Sequence, residues 1–376
     1  MDAVFRRARL EDIDQLLTLY RHVYGKDYKL PLGTDPVVMA AEITRPTTTW
    51  LVAEQPGSGR IVASIMATVE PADRLGKLQG LVVHRDCRGT GIAHEAVRQL
   101  SETLLSEQRH QVDSVYATAR TTATAPQRIC LRNGFRPLGM LPNLRKAARQ
   151  ETMVLLAKHR EGVLERRHPV PRIPAALANL VSALDGPDRL PELVDAVPAP
   201  APGRSVPAEL VDAPQFVLRR FREVVTDPTR RFYPFHSPNV LVAAEDGSYE
   251  LYAHLSRCDG YCTLIGAAPS ALALADHLES LIEQLAGLGA GYVETLLPLD
   301  CLEELNLLLA HGFLPAAAYP AMRRDGEGFR DYVVMARTMQ PLDFRGLAID
   351  ETFRPFTEQY VDLWKRRYLD TGAVYR

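Results

Sequence analysis

The sequence predicts an α/β protein, a mixed sheet flanked by helices, repeated in two tandem domains. Three observations carry that expectation. The chain has 376 residues, more than one ordinary core organises and comfortable for two. Strand-like alternation and helical periodicity succeed each other in a definite order up to about residue 160, and a similar, weaker order returns after residue 212. Each half closes with a helix, a Gly-Phe-x-Pro segment and a last strand: Gly134-Phe135-Arg136-Pro137 in the first, Gly312-Phe313-Leu314-Pro315 in the second.

In the first half, Val4 to Ala8 alternates as a strand. Asp12 to Tyr24 then sets Ile13, Leu16, Leu17, Tyr20 and Val23 on one side of a helix. Pro36 to Thr44 reads as a second, short helix. Thr48 to Glu54 and Arg60 to Glu70 are strands joined by a hairpin at Pro56-Gly57-Ser58-Gly59, with Trp50 in the core. Lys77 to Val83 is a further strand and runs straight into a glycine-bearing loop. Ile92 to Glu107 is a long helix with Ala93, Ala96, Val97, Leu100 and Leu104 at helical spacing. Val112 to Thr118 is strand-like. Thr124 to Asn133 is a short helix: Thr124 and Gln127 fit a capping box, Pro126 suits the first turn and Gly134 the stop. Glu151 to Lys158 closes the set as a strand.

Residues 161–212 read as a linker. Pro169, Pro171 and Pro174 interrupt its start, and the Ala/Pro alternation from Ala196 to Gly203 favours extended, semi-rigid backbone. Between them Ala175 to Leu184 fits a short amphipathic helix. The second domain is expected over 213–340, with a hairpin of Val240 to Glu245 and Glu250 to Ser256, a helix over Ala271 to Leu288, and a strand over Tyr292 to Leu297. Cys301 to His311 is a helix stopped by Gly312, and Tyr332 to Thr338 a final strand. The tail, 341–376, carries a helix around Glu358 to Tyr368.

Composition narrows the function. Charged residues are 24% and apolar residues 46%, as in a soluble globular protein, and the formal net charge is -2 without long runs of one sign. A nucleic-acid or polyanion partner has no electrostatic support. No apolar stretch reaches the roughly 18 residues of a membrane span, and Met1 to Leu10 lacks a signal-type apolar core, so a cytoplasmic address is expected. The five cysteines, Cys87, Cys130, Cys258, Cys262 and Cys301, lack paired metal spacing, so reduced thiols and no metal are expected.

The segment Leu78 to Ala93 carries the chemistry. A buried strand feeds a loop with Arg88, Gly89 and Gly91, and a long helix follows. Glycines let the backbone turn tightly and bring its N–H groups close to a ligand. With the free donors and dipole of the helix N-terminus they form an anion cradle, for which a diphosphate is the natural occupant. The chain has neither G-x-x-x-x-G-K-[ST] nor G-x-G-x-x-G with an acidic residue about 20 positions on.

Arg88-Gly89-Thr90-Gly91-Ile92-Ala93 instead fits [RQ]-x-x-G-x-[GA], and the stretch from Gly80 to Ala93 resembles motif A of the GCN5-related N-acetyltransferases (GNAT). The resemblance extends in element order from about residue 3 to residue 158, and makes residues 1–160 an acetyl-CoA-binding domain. It implies that the backbone of Val82 and Val83 holds the pantetheine arm where their strand splays from that of Tyr116. The N–H groups from Arg88 to Ala93 would hold the pyrophosphate, and helix Thr124 to Asn133 would flank the thiol. The implied reaction is direct attack of a primary amine, of a small metabolite or a protein lysine, on the thioester in a ternary complex.

That reaction needs a base, since an alkylammonium near pKa 10 is not nucleophilic, an oxyanion donor such as Val83 N–H, and an acid for the leaving thiolate. The family often carries an Asn at the start of the later helix and a Tyr four residues before Gly-Phe. Aligned on Gly134, these positions hold Ala123 and Cys130. Cys130 is therefore a weak candidate acid or a buried structural thiol, with Tyr116 or water as alternatives. Glu70, at the end of the preceding strand, is the candidate base, and His84 is a second group that titrates near neutrality. His94 reads as a polar-face residue. Tyr24 and Tyr28 flank a loop that in this family overhangs the acceptor site, so they are candidate substrate contacts.

Nothing in 213–340 reproduces the pyrophosphate loop: Gly266-Ala-Ala-Pro-Ser270 stands in its place, without an arginine and with Pro269 lacking a donor. A degenerate acetyltransferase-like copy is expected there, which covers a sheet edge, binds the acceptor or mediates dimerisation. His236 and Arg230-Arg231 either line an acceptor site or belong to a solvated loop. The competing function is a non-catalytic acyl-CoA sensor.

Overall fold

In the structure, a computed structural model describing residues 3–25, 30–106, 112–146, 150–195 and 206–369, the chain is a mixed α/β protein in two compact units. The first unit takes residues 1–119, 124–136 and 156–165. The second takes 120–123, 137–155 and 166–376.

The first half runs β1 (Val4–Arg7), α1 (Ile13–Tyr24), α2 (Pro31–Thr34), α3 (Pro36–Thr44), β2 (Thr48–Gln55), β3 (Arg60–Glu70), β4 (Leu75–Val83), α4 (Ile92–Ser106), β5 (Ser114–Arg120), α5 (Ala125–Arg132), β6 (Arg136–Lys146) and β7 (Gln150–His159). In the first unit β1 to β4 form an antiparallel meander, and β5 adds parallel to β4. Alternation along the strands supplies two apolar faces. On one face Leu16, Leu19 and Tyr20 of α1 pack with Trp50, Val52, Ile61, Met66 and Val82. On the other Ile92 of α4 packs with Ala53, Val62 and Ala63. Trp50 is core as expected, its indole N–H donating to Ser64 Oγ at 2.7 Å. The capping box expected at Thr124 does not form: Thr124 makes no side-chain cap bond, and Gln127 is fully buried.

In chain order there follow β8 (Arg172–Pro174), α6 (Ala178–Asp185), β9 (Glu192–Val194), β10 (Ala208–Val211), α7 (Pro214–Val224), β11 (Val240–Ala244), β12 (Glu250–Ser256), β13 (Tyr261–Ala268), α8 (Leu278–Gly287), β14 (Tyr292–Pro298), α9 (Leu302–Ala310), β15 (Leu314–Asp325), β16 (Gly328–Thr338) and α10 (Arg354–Tyr368). In the second unit β10 to β13 are again an antiparallel meander, β13 and β14 are parallel, and β14, β16 and β15 continue antiparallel. The helix expected over Ala271 to Leu288 is a short 3-10 turn, Ala271–Leu274, followed by α8.

The helix expected over Ala175 to Leu184 within 161–212 is α6, which buries Leu180 and Val181 and packs on β15 and α10 within the second unit. Strands β6 and β15 escaped the sequence reading, and they pair with each other at Gly139 and Ala317. The stretch 137–155 therefore sorts with the second unit, although the expected first domain runs to residue 160.

Candidate functional site

The site begins where β4 and β5 part. Their parallel pairs run from Leu75–Ser114 to Leu78–Ala117, after which β4 continues to Val83 without a partner on that side. At Gly80, φ 66°, β4 bulges: the register against β3 shifts between Ser64 and Met66. Tyr20 of α1 donates its hydroxyl to Gly80 O at 3.1 Å, and a Cβ at Gly80 would stand 2.8 Å from that hydroxyl. Only glycine fits this turn beside this ring.

Hydrogen-bond parity beyond the bulge fixes which backbone groups face the gap. His84 N donates to Val62 O, so the pair Val82–Ser64 is also mutually bonded and the intervening Val83–Ala63 pair is not. Val83 thus turns its N–H and C=O away from β3 and toward the side where β5 has departed. Val82 does the reverse, and its side chain is buried under α1. Of Val82 and Val83, only Val83 turns its backbone polar groups into the gap.

After Val83 the chain makes a tight turn, with Cys87 N donating to His84 O and Arg88 N to Arg85 O, and Thr90 Oγ1 donating to Cys87 O at 2.7 Å. Gly89 and Gly91 have φ of 77° and 87°, which side-chain-bearing residues rarely adopt. The first bond of α4 runs from Glu95 N to Gly91 O, so the N–H groups at the start of α4 have no partner inside the helix. Arg88, Gly89, Thr90 and Gly91 are exposed beside them, with Ile92 and Ala93 opening the helix. Left-handed turns next to a helix N-terminus are an anion nest. Glu95, the one acidic residue in that first turn, is held down to about 2 by its bonds to Arg98 and Gln99, and Arg98 balances its charge.

The candidate acids and bases are placed less favourably. Glu70 lies opposite Leu75 at the closed end of the sheet, five residues or roughly 17 Å along β4 from Gly80. An amine at the gap is out of its direct reach. Tyr116 is buried on β5 opposite Lys77, in the paired part, with the Lys77 ammonium 6.0 Å from its ring centroid. Cys130 is buried in α5, and burial pushes its thiol up to about 12, which makes it a poor donor to a thiolate. His84 is neither solvent-facing nor available as a base. It is 5% exposed, stacks on His22 at 4.2 Å and 14°, and has Nε2 2.6 Å from Arg60 Nη2. His94 is tied at the α4–α5 contact, where Asn133 Nδ2 donates to its carbonyl. Tyr24 ends α1 with its ring 6.1 Å from that of Tyr20, on the side of the bulge. Tyr28 lies outside the described residues.

Arg60, Tyr20 and Gly80 are the site residues that sequence reasoning missed. A lone glycine inside a strand pattern is a bulge signal, and Gly80 carried it. Arg60 and Tyr20 gave none.

The second unit has the same splay without the cradle. The β13–β14 pairs end at Leu264–Thr295, and a register shift lies opposite Tyr252 and Ala253. Gly266 is covered by Phe221 of α7, 2.9 Å from where its Cβ would stand. Arg230 donates to Ala267 O and Pro269 O, both at 2.7 Å, and Arg231 donates to Val225 O and Arg222 O. Both arginines cap backbone carbonyls instead of lining an acceptor site. Among the described residues, no group of three or more His, Cys, Asp or Glu could hold a metal ion, and no helix is long and apolar enough to cross a membrane.

A splayed parallel strand pair ending in a helix N-terminus with two left-handed glycines gives an α/β domain whose geometry suits an anionic ligand. Residues 13–135 match the profile of the acetyltransferase (GNAT) family, and the chain carries a GNAT acetyltransferase domain there. Among solved structures, a ribosomal-protein-alanine N-acetyltransferase from Brucella melitensis is 20% identical. The alignment covers 42% of this chain and 99% of that one, with a TM-score of 0.36. A GNAT-family acetyltransferase from Streptococcus pneumoniae is 15% identical over 42% of this chain and 99% of its own, with a TM-score of 0.37. The ribosomal-protein-S18-alanine N-acetyltransferase from Escherichia coli is 12% identical, covering 42% and 94%, with a TM-score of 0.35. A search of curated proteins returns no match.

Proposed function

We propose that the first unit binds acetyl-CoA and transfers its acetyl, or a related short acyl group, to a primary amine of a small metabolite or a protein lysine. The observation that carries this reading is the continuity of the gap and the nest. Val83 turns its backbone into the opening between β4 and β5, and the amides from Gly89 to Ala93 follow it in the chain, that of Arg88 being spent on Arg85 O. The residues present fit the cofactor: two left-handed glycines and a helix N-terminus suit a pyrophosphate, and an extended strand edge suits the amides of pantetheine.

In the reaction, Val83 N–H is the proposed donor to the oxyanion that develops on the thioester carbonyl. Neither Glu70 nor His84 is placed to take the amine proton directly, so a water at the gap is the proposed base. Tyr116 is the remaining side-chain candidate for the thiolate's proton. Tyr24 borders the acceptor side.

A second reading, an acyl-CoA sensor without turnover, is favoured by one observation: the position of the family's acid holds the buried Cys130. Residues 213–340 are read as a degenerate acetyltransferase-like copy. Their recurrent order of meander, helix, parallel strand, helix and hairpin supports this, and the capping by Arg230 accounts for a missing cofactor site. Dimerisation through that copy and a cytoplasmic location belong to the same proposal.

Calorimetric titration of acetyl-CoA into the wild type and into Gly91→Glu tests the reading. One site per chain, abolished by a carboxylate placed in the nest, is expected. Binding unchanged in Gly91→Glu would sink the site. Turnover over an amine panel then separates the enzyme from the sensor.

A further inference from the structure

The second unit contains a buried carboxylate that acetyl transfer does not use. Glu294 stands on β14 opposite Thr263, one register step before the parallel pairs end, and is 6% exposed. Tyr261 donates to its Oε1 at 2.6 Å, Tyr233 donates to the same oxygen, and Tyr292 donates to Oε2 at 2.7 Å. Thr263 Oγ1 donates to Tyr261 OH at 2.5 Å. Outside this ring stand two histidines. His236 is edge-on to Tyr233 and to His254, with centroids 5.0 Å and 5.4 Å apart.

This arrangement supplies hydrogen bonds but no positive charge. Three hydroxyls lower the cost of burying a carboxylate but bring no positive charge. Burial pushes Tyr233, Tyr261 and Tyr292 well above the usual phenol range, so they stay neutral donors. Among the described residues no ion pair reaches Glu294. Asp331, the other buried acid of this unit's sheet, is by contrast held by Arg167. Buried charges in proteins are ordinarily paired.

The surroundings supply what a cation needs. Three hydroxyls occupy three of the roughly four acceptor directions of a carboxylate, which leaves one. Tyrosine rings attract cations to their faces. His236 Nδ1 is 3.0 Å from Pro234 O and His254 Nδ1 3.0 Å from Ser237 O. A carbonyl only accepts, so each Nδ1 carries a proton, and His236 Nε2 lies 3.4 Å from the Tyr261 hydroxyl. The loop that brings in Tyr233 and His236 holds Phe235 at φ 63°, a conformation a bulky residue keeps only when its surroundings impose it.

We propose that Glu294 and its collar of Tyr233, Tyr261, Tyr292, His236 and His254 bind the ammonium head of an alkylamine. The site lies wholly in the second unit and stands apart from the acetyl-CoA reading. An amine acceptor and an amine effector share this chemistry.

The test titrates n-butylammonium chloride into the full chain by calorimetry against a sodium chloride blank, with thermal melts in parallel. One site is expected in the wild type, weakened at least tenfold in Glu294→Gln and several-fold in His254→Ala. Should Glu294→Gln fail to fold, His254→Ala and Tyr261→Phe carry the test. Gly91→Glu is expected to bind the amine as the wild type does, which keeps this result separate from the cofactor site. Saturable binding lost with Glu294 establishes the site. No binding by the wild type, or equal binding by folded Glu294→Gln, overturns it.

Discussion

His84 closes β4, and its ring sits where three charged or titratable partners meet. A guanidinium only donates, and Arg60 Nη2 stands 2.6 Å from Nε2. On the other side Nδ1 accepts from the Asp86 backbone N–H at 3.3 Å, with Asp86 Oδ2 3.5 Å away. A charging proton therefore has to enter a ring that faces donors on both sides, under the stacked His22. Burial first, then the charges of Arg60 and His22, accordingly lower the pKa below the usual histidine range. A histidine with a lowered folded pKa leaves stability intact above the unfolded value near 6.5 and removes it as pH falls from there toward the lowered value. The melting temperature of the wild type is therefore expected to fall on acidification below about pH 6.5, and His84→Asn to fall less steeply. Identical slopes for the two proteins would show that His84 does not titrate in the fold. The loop it precedes was legible from Arg88 to Ala93, because such a cradle is local in sequence. The fate of His84 was not, because Arg60 and His22 reach it from β3 and α1.

At the scale of elements, the strands that alternate cleanly were legible and those that carry breakers were not. β6 contains Pro137, Gly139, Pro142 and Asn143, and β15 contains Pro315 and Pro320, so neither reads as a strand. Both exist because neighbouring strands hold them. Gly139 has φ 154°, and a Cβ there would collide with the backbone of Ala316 and Ala317. Glycine at this position permits the close approach of β6 to β15. Gly139→Val is expected to cost about 1–3 kcal/mol through overpacking. A denaturant midpoint equal to that of the wild type would show that the pairing yields at no cost. The helices fared better: α1, α3, α4 and α5 fall within a few residues of their predicted spans, since α4 carries a long apolar stripe and α1, α3 and α5 have a proline start or a glycine stop.

At the scale of the whole molecule, the chain order of the halves and the division into compact units do not coincide. Residues 137–155 follow the first half in sequence but sort with the second unit, where Asn143 Nδ2 donates to Pro341 O and Arg145 pairs with Asp259. A fragment ending at residue 165 would strip these groups of their partners. It is expected to melt well below the full chain and to expose the Gly139 edge to rapid hydrogen exchange. A fragment as stable as the full chain, with protected amides at 138–141, would mean that the hairpin needs only the first half.

The sequence by itself determined the α/β class, the doubled order of elements and the GNAT-like loop, because periodicity, helix stops and a glycine-rich turn are written in neighbouring residues. It also raised the expectation, from Pro269 and the missing arginine, that 213–340 lacks the cradle. Only the tertiary structure decided which backbone groups face the gap, since that depends on a bulge and on strand parity across β3. It also removed Glu70 and Cys130 from the short list of proton carriers, since position along the sheet and burial are set by packing. The carboxylate of Glu294 owes its collar to residues from the 229–239 loop, β12, β13 and β14, which only folding brings to one place.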